Sequence, residues 1–165
     1  EPAGSEALPR SFSDFSVTTG RRSWANRSNL PQGHRMLDVP DQLAAAMGLR
    51  VDEVPLDDNW PHGLWVPERQ QIILRHGLDR VTRRCILAHE LGHAHHRDVR
   101  SGYDSVDSRA ERRADAFAAL LLISPAEYAL AEELHGPGVA GLAHALDVTP
   151  HLIRVWRGEH ERKAP

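Results

Sequence analysis

Two histidines four residues apart, His89 and His93, lie in a stretch with mostly apolar neighbours and constrain the fold more than any other feature. Residues 85–88 and Leu91 are apolar, so this stretch predicts a buried helix rather than a solvated one. Positions four apart share one helical face and are separated by about 6 Å along the axis. Gly92 costs such a helix about 1 kcal/mol, which indicates that another element packs closely against it.

Two imidazoles on one helical face can bind a single tetrahedral Zn²⁺ with bonds of about 2.0–2.1 Å. Glu90 lies between them and completes an HExxH pattern over residues 89–93. Glu90 is therefore a candidate general base, able to take the proton of an attacking water and pass it to a leaving amine. HExxH also arises by chance on solvated helices, so its significance here depends on its apolar flanks and on a third ligand.

The candidate third ligand is Glu111, on a second predicted helix from about Ser108 to Ile123, after a polar loop over residues 97–107. Ala114 and Ala118 lie alongside and allow this helix to pack closely on the first. Glu111 would complete a His-His-Glu set whose fourth position is left for water, as a catalytic zinc site requires.

Asp115 lies four residues after Glu111 and shares its helical face. It can accept a hydrogen bond from the outer nitrogen of His89 or His93 and so fix the tautomer of that ring. The competing interpretation of both acidic residues is an ion pair with a nearby arginine, Arg109, Arg112 or Arg113.

Other side chains near the motif are weaker candidates. His96 would lie about 10 Å along an unbroken helix from the first ligand, too far to share one zinc, so His95 and His96 are interpreted as a polar helix end. Cys85, the single cysteine, is interpreted as a small buried core residue. Tyr103 and Tyr128 are candidates to stabilise an oxyanion, although ordinary packing or surface positions explain them better.

The remaining pattern predicts an α+β domain over residues 35–160, after a disordered or extended tail over residues 1–34. A helix from Asp41 to Gly48 precedes a small antiparallel sheet of about three strands, packed on a helical core that contains the HExxH helix. The predicted strands are Arg50–Leu56, Gly63–Val66 and Gln71–Leu74. The predicted helices after the sheet cover about 79–96, 108–123, 125–134, 139–146 and 149–157.

A C-terminal helical pair over residues 137–158 resembles the two-helix centre of a helix-turn-helix. Asp147 stands where the turn usually has glycine. Positive charge comes from Arg154, Arg157, Arg162 and Lys163. A DNA reader would insert the second helix into the major groove, but little sequence remains for the further helices of a complete module. Packing is the favoured interpretation, and DNA binding the less favoured one.

Charge and composition point to a protein of the cytoplasm with no membrane partner. The net charge of -3 provides no global basic field for nucleic acid. No apolar stretch approaches the roughly 18 residues that a membrane span needs, and no signal-peptide pattern is present at the start. A single cysteine fits a reducing compartment.

Together these motifs resemble the ImmA/IrrE metallopeptidases over roughly Leu37–Trp156. The resemblance rests on ILAHELGH at 86–93, ERRADAFA at 111–118 and LLLISP at 120–125. The family pattern is HELGH, then ExEAN or ExxAD before a Phe-Ala pair, then a Leu-Leu-x-Pro stop. Arg113 departs from it, since the family often has a second acid there, and this leaves one matching acidic ligand on the second helix.

The resemblance implies a zinc site on His89, His93 and Glu111 with Glu90 as the base. It also implies a regulatory peptidase of bacteria, phages or integrated elements that cuts a helix-turn-helix transcriptional repressor or a related regulator. Two alternatives stay open. One is a non-catalytic zinc-holding or DNA-binding regulator of the same fold, which has no need of Glu90, and the other is a toxin–antitoxin component.

Overall fold

The computed structural model describes residues 38–55, 57, 60–99 and 104–162, and the predicted tail over residues 1–34 lies outside them. The described part has the predicted α+β class, with a small sheet and a larger set of helices. In chain order the elements are α1 (Val39–Ala46), β1 (Arg50–Val54), β2 (Gly63–Val66), β3 (Gln71–Arg75), α2 (Arg80–His96), α3 (Asp104–Leu122), α4 (Pro125–His135), α5 (Val139–Ala145) and α6 (Pro150–Glu161).

The sheet is mixed, so the prediction of an antiparallel sheet was wrong for one of its two pairings. The strand order is β1-β3-β2; β2 and β3 form an antiparallel hairpin, whereas β1 pairs with β3 in parallel. Strand patterns identify the strands but not their order. The segment between β1 and β2 carries the chain to the far edge of the sheet, and β3, whose Ile72 and Leu74 are fully buried, takes the centre.

Two helices are longer than the apolar pattern indicates. The third begins at Asp104 rather than Ser108, so the predicted polar loop is shorter, and the last continues to Glu161 rather than Arg157. Both extensions are rich in polar residues, so they carry no apolar period that would reveal a helix in the sequence.

The HExxH helix α2 lies between two hydrophobic clusters, as its apolar flanks predict. On one side Leu87 and Leu91 pack with the central strand of the sheet. On the other side Cys85 and Ala88 pack in a cluster that includes residues of α3, α4, α5 and α6. Cys85 is thus a buried core residue, and burial raises the pKa of its thiol. The helix that carries the motif is held on both faces.

Gly92 brings α2 and α3 into backbone contact, which confirms the close approach predicted from this glycine. A Cβ added at Gly92 would lie 2.7 Å from the Cα and 3.0 Å from the carbonyl oxygen of Ala114. Ala114 and Ala118 are both fully buried at this helix pair. Only small side chains allow the two helices to lie this close.

The C-terminal pair, α5 and α6, is fixed to the first half of α2 through its turn. Asp147 has a φ of 53°, the left-handed conformation that glycine usually supplies, and its carboxylate pairs with Arg80. Arg84 donates to the carbonyl oxygens of Leu146 and Asp147, at 3.3 and 2.9 Å. The pair therefore packs as part of the domain.

Among the described residues, no single helix is both long and apolar enough to cross a membrane. The bent pair Val106–Leu122 and Pro125–His135, at 75° to each other, reaches the needed length and composition only when its two helices are taken together.

The Gly92 contact predicts a sensitive position. We expect Gly92→Ala to lower the free energy of unfolding by about 2 kcal/mol, because the added methyl group overlaps Ala114. Urea denaturation of the metal-free protein measures this. The matched control is Gly158→Ala in α6, where an added Cβ meets no atom within 4 Å and should stabilise by about 0.5–1 kcal/mol. Equal effects of the two substitutions would contradict the contact.

Candidate metal centre

Three side chains converge where α2 meets α3. The Nε2 atoms of His89 and His93 are 3.1 Å apart. Glu111 reaches both rings, with Oε2 3.1 Å from His89 Nε2 and Oε1 3.6 Å from His93 Nε2. Ligand atoms of a tetrahedral zinc with bonds of about 2.0–2.1 Å lie about 3.3–3.4 Å apart. The three predicted ligands therefore have the separations that one zinc ion needs.

The outer nitrogens of both rings point at carboxylates. His89 Nδ1 lies 2.9 Å from Asp115 Oδ1, and His93 Nδ1 lies 3.1 Å from Asp98 Oδ2. A neutral imidazole that donates through Nδ1 presents a lone pair at Nε2. Two such lone pairs and the carboxylate of Glu111 thus face one another, an arrangement of acceptors that favours a cation between them.

The electrostatics at His89 also favour positive charge. Burial disfavours the charged imidazole, but the hydrogen bond to Asp115 and the charges of Glu90, Asp115 and Glu111 outweigh it and raise the pKa of His89. The same surroundings would stabilise a metal cation bound to this ring. Glu111 is half-exposed, which leaves the group accessible from solvent.

Glu90 stands apart from the three converging ligands, with its carboxylate against β2. It is 7% exposed, and burial raises the pKa of its carboxyl group. The backbone amide of Trp65 hydrogen-bonds to it. A Cβ added at Gly63 would lie 2.7 Å from Glu90 Oε1, so the strand can approach this carboxylate only because residue 63 is glycine.

Asp98 is a residue of this site that the sequence reasoning missed. Arg97 takes the left-handed conformation (φ 56°) and turns the chain back on α2, and the Asp98 amide donates to the His93 carbonyl at 2.9 Å. This turn places the Asp98 side chain beside the ring of His93, where it accepts a hydrogen bond from Nδ1. Arg113 contacts its other oxygen at 2.5 Å, so the residue that departs from the family pattern neutralises a carboxylate next to a candidate ligand. The one sequence feature that could have indicated this role is an acidic residue two positions after the end of α2.

The sequence predicts that Asp115 accepts a hydrogen bond from the ring of either His89 or His93, and in the structure Asp115 contacts His89. Its second oxygen accepts from His151 at 2.8 Å, another residue that was not predicted here. Although burial opposes ionisation, these two hydrogen bonds lower the pKa of Asp115, and the carboxylate is charged at neutral pH.

The weaker candidates lie elsewhere or outside the described residues. His95 and His96 contact the ring of Phe117, with centroids 5.0 and 6.3 Å from it. Tyr128 stacks on a core tryptophan, and its hydroxyl is engaged with Glu132 and Arg157. Tyr103 lies outside the described residues.

The contact of Asp98 with His93 predicts an effect on metal binding. We expect Asp98→Asn to weaken zinc affinity about tenfold, because a neutral amide holds the ring's Nδ1–H less strongly. Competition with a chromogenic chelator measures the affinity. Glu133→Gln removes one charge from an exposed position of α4 and should leave the affinity unchanged. An unaltered affinity in Asp98→Asn would show that this contact does not support the ligand.

Comparison with known proteins identifies the family of this chain. The sequence model of the family Peptidase_M78, described as the IrrE N-terminal-like domain, matches residues 44–155, more than half of the chain. A search of curated proteins finds no match. The matched range contains His89, Glu90, His93 and Glu111, and it confirms the resemblance to the ImmA/IrrE metallopeptidases. The chain therefore belongs to the M78 peptidase family, the family of the IrrE N-terminal-like domain.

Proposed function

We propose that this protein is a zinc-dependent endopeptidase with Glu90 as its general base. The observation that carries the proposal is the convergence of His89, His93 and Glu111 at the separations of a zinc site, with Glu90 between the two histidines on the same helix. Membership in a peptidase family supports the same reaction.

Zinc bound by these three residues would acidify a water molecule and polarise the scissile carbonyl. Glu90 would take the proton from the attacking water and deliver it to the leaving amine. Because burial raises the pKa of Glu90, its carboxylate is a stronger base than an exposed one. A binding-only protein would need the three ligands but has no use for this buried acid.

Within the part of the chain that the structure describes, β2 is an edge strand of the sheet, and this supports a polypeptide substrate. The amide of Arg75 donates to the carbonyl of His62, so these two residues form a hydrogen-bonded pair of the β2–β3 ladder. Hydrogen-bonded and non-hydrogen-bonded pairs alternate along an antiparallel ladder, so Gly63 and Trp65 belong to non-hydrogen-bonded pairs. The backbone groups of Gly63 and Trp65 therefore face away from β3, on an edge strand that touches Glu90. The Trp65 amide is already engaged with Glu90, which leaves the backbone groups of Gly63 and the Trp65 carbonyl to pair with an extended substrate segment and bring a peptide bond to the base.

The substrate that we propose is a helix-turn-helix transcriptional repressor or a related regulator, cut in the cytoplasm, and the support for it is the resemblance to the ImmA/IrrE metallopeptidases. The contacts of α6 favour this over DNA binding by the chain itself. Arg157 is engaged with Tyr128 and the carbonyl of Pro137, and Arg162 with Glu159. These two arginines are engaged in contacts within the domain, whereas Arg154 is exposed.

Metal content is the first test of the proposal. We expect about one zinc per chain in the wild-type protein, as a three-ligand site requires. His89→Ala and Glu111→Ala should lose the metal, whereas Glu90→Gln should keep it. Elemental analysis after dialysis measures the content. A folded wild-type protein that binds no zinc would contradict the proposal.

Cleavage is the second test. We expect the zinc-loaded wild-type protein to cut purified helix-turn-helix repressors or a proteome-derived peptide library, with new N-termini detected by mass spectrometry. Glu90→Gln should reduce the rate by at least about a hundredfold, since general-base catalysis contributes about 10²–10⁴. Equal cleavage by both proteins would show that Glu90 is not the base.

A further inference from the structure

One carboxylate, Asp115, joins the metal centre to the C-terminal helix. Its Oδ1 accepts from His89 Nδ1 at 2.9 Å, and its Oδ2 accepts from His151 Nε2 at 2.8 Å. The Asp115 side chain is 24% exposed, so water reaches it only in part. A single residue, Asp115, thus separates His151 from the candidate zinc ligand His89, although His151 is on a different helix and 36 positions after Asp115 in the chain.

The packing of α6 fixes the position of His151. Thr149 caps the helix by accepting the Leu152 amide, and Pro150 occupies the first turn. Leu152 and Ile153, which directly follow His151, are buried in the core cluster shared with α2 and α3. The backbone that carries the imidazole is therefore held in place, and only the side-chain rotamer of His151 is left to be fixed by its contact with Asp115.

We propose that His151 is a positioning residue of the metal centre, orienting Asp115 so that Asp115 holds His89. The inference rests on the proposed zinc site and adds a third helix to it. A carboxylate held at both oxygens cannot rotate away from the His89 ring, and a ring of fixed orientation binds metal more tightly. The C-terminal pair, which resembles a helix-turn-helix in sequence, then serves the metal centre.

Two other effects of His151 are smaller. As a donor it also draws electron density from Asp115, which weakens the hold on His89, but water would replace that donor at a partly exposed oxygen. As an exposed ion pair, His151 with Asp115 would contribute little to folding stability. Orientation is the effect that water cannot replace, because water does not fix the direction of the carboxylate.

Coupling of this kind is reciprocal. If the contact of His151 with Asp115 strengthens zinc binding, zinc binding must strengthen that contact by the same factor. The metal should therefore protect the backbone amides of α6 from hydrogen exchange, although no residue of α6 is a ligand.

The experiment compares zinc dissociation constants of the full-length wild type with those of two variants. His151→Leu removes the donor, and we expect it to raise the zinc Kd about threefold to tenfold, less than for a residue that contacts the ligand directly. His151→Gln retains an N–H donor close to the position of Nε2 and should stay within about twofold of wild type. His144→Leu, at an exposed position of α5, is the matched control and should have no effect.

A double-mutant cycle and hydrogen exchange complete the test. In an Asp115→Asn background, His151→Leu should have no further effect on the Kd, because its action passes through Asp115. Zinc should protect α6 in the wild type and much less in His151→Leu. A His151→Leu protein with wild-type zinc affinity, even one with a lower Tm, would overturn the inference and leave the zinc site standing. A wild type that binds no zinc would overturn the site itself.

Discussion

The contact between the backbones of α2 and α3 at Gly92 and Ala114 is the constraint on which the rest of the structure depends. Two candidate ligands come from one helix and the third from the other, with ligand atoms 3.1–3.6 Å apart. A metal site tolerates errors of only a few tenths of an ångström in such distances, and an added methyl group at this contact would separate the helices by more. A glycine and a fully buried alanine therefore set the geometry of the site, although neither offers a metal ligand.

Two carboxylates contact the rings of the candidate ligands His89 and His93. Each histidine donates its outer N–H to an aspartate, and each aspartate has a second partner: Arg113 for Asp98, and His151 for Asp115. A partly buried carboxylate without such partners would be costly. The consequence is that the site is built from the end of α2, from α3 and from α6 together.

Much of the fold and of the candidate site was open to prediction because it depends on local pattern. Apolar periodicity located the helices and strands, and the spacing of the histidines and acidic residues indicated which side chains share a face. Strand order in the sheet was not accessible, because three short strands are compatible with several pairings; in the structure the strand with the fully buried residues Ile72 and Leu74 is central. Asp98 and His151 were missed for a related reason. A left-handed residue at the end of α2 brings Asp98 to the site, and the packing of a distant helix brings His151 there. Neither arrangement produces a periodic pattern in the sequence.

The sequence by itself determined the chemistry that this protein can offer: two imidazoles on one helical face, an acid between them, and a further acid on the next helix. These follow from helix geometry, which is the same in every protein. Only the tertiary structure decided how that chemistry is held. It placed Glu90 against an edge strand, assigned Asp98 to one ring and Asp115 to the other, and turned a helical pair resembling a DNA-binding motif into support for Asp115. Those choices depend on contacts between residues far apart in the chain, where the free energy of packing rather than local propensity selects one arrangement.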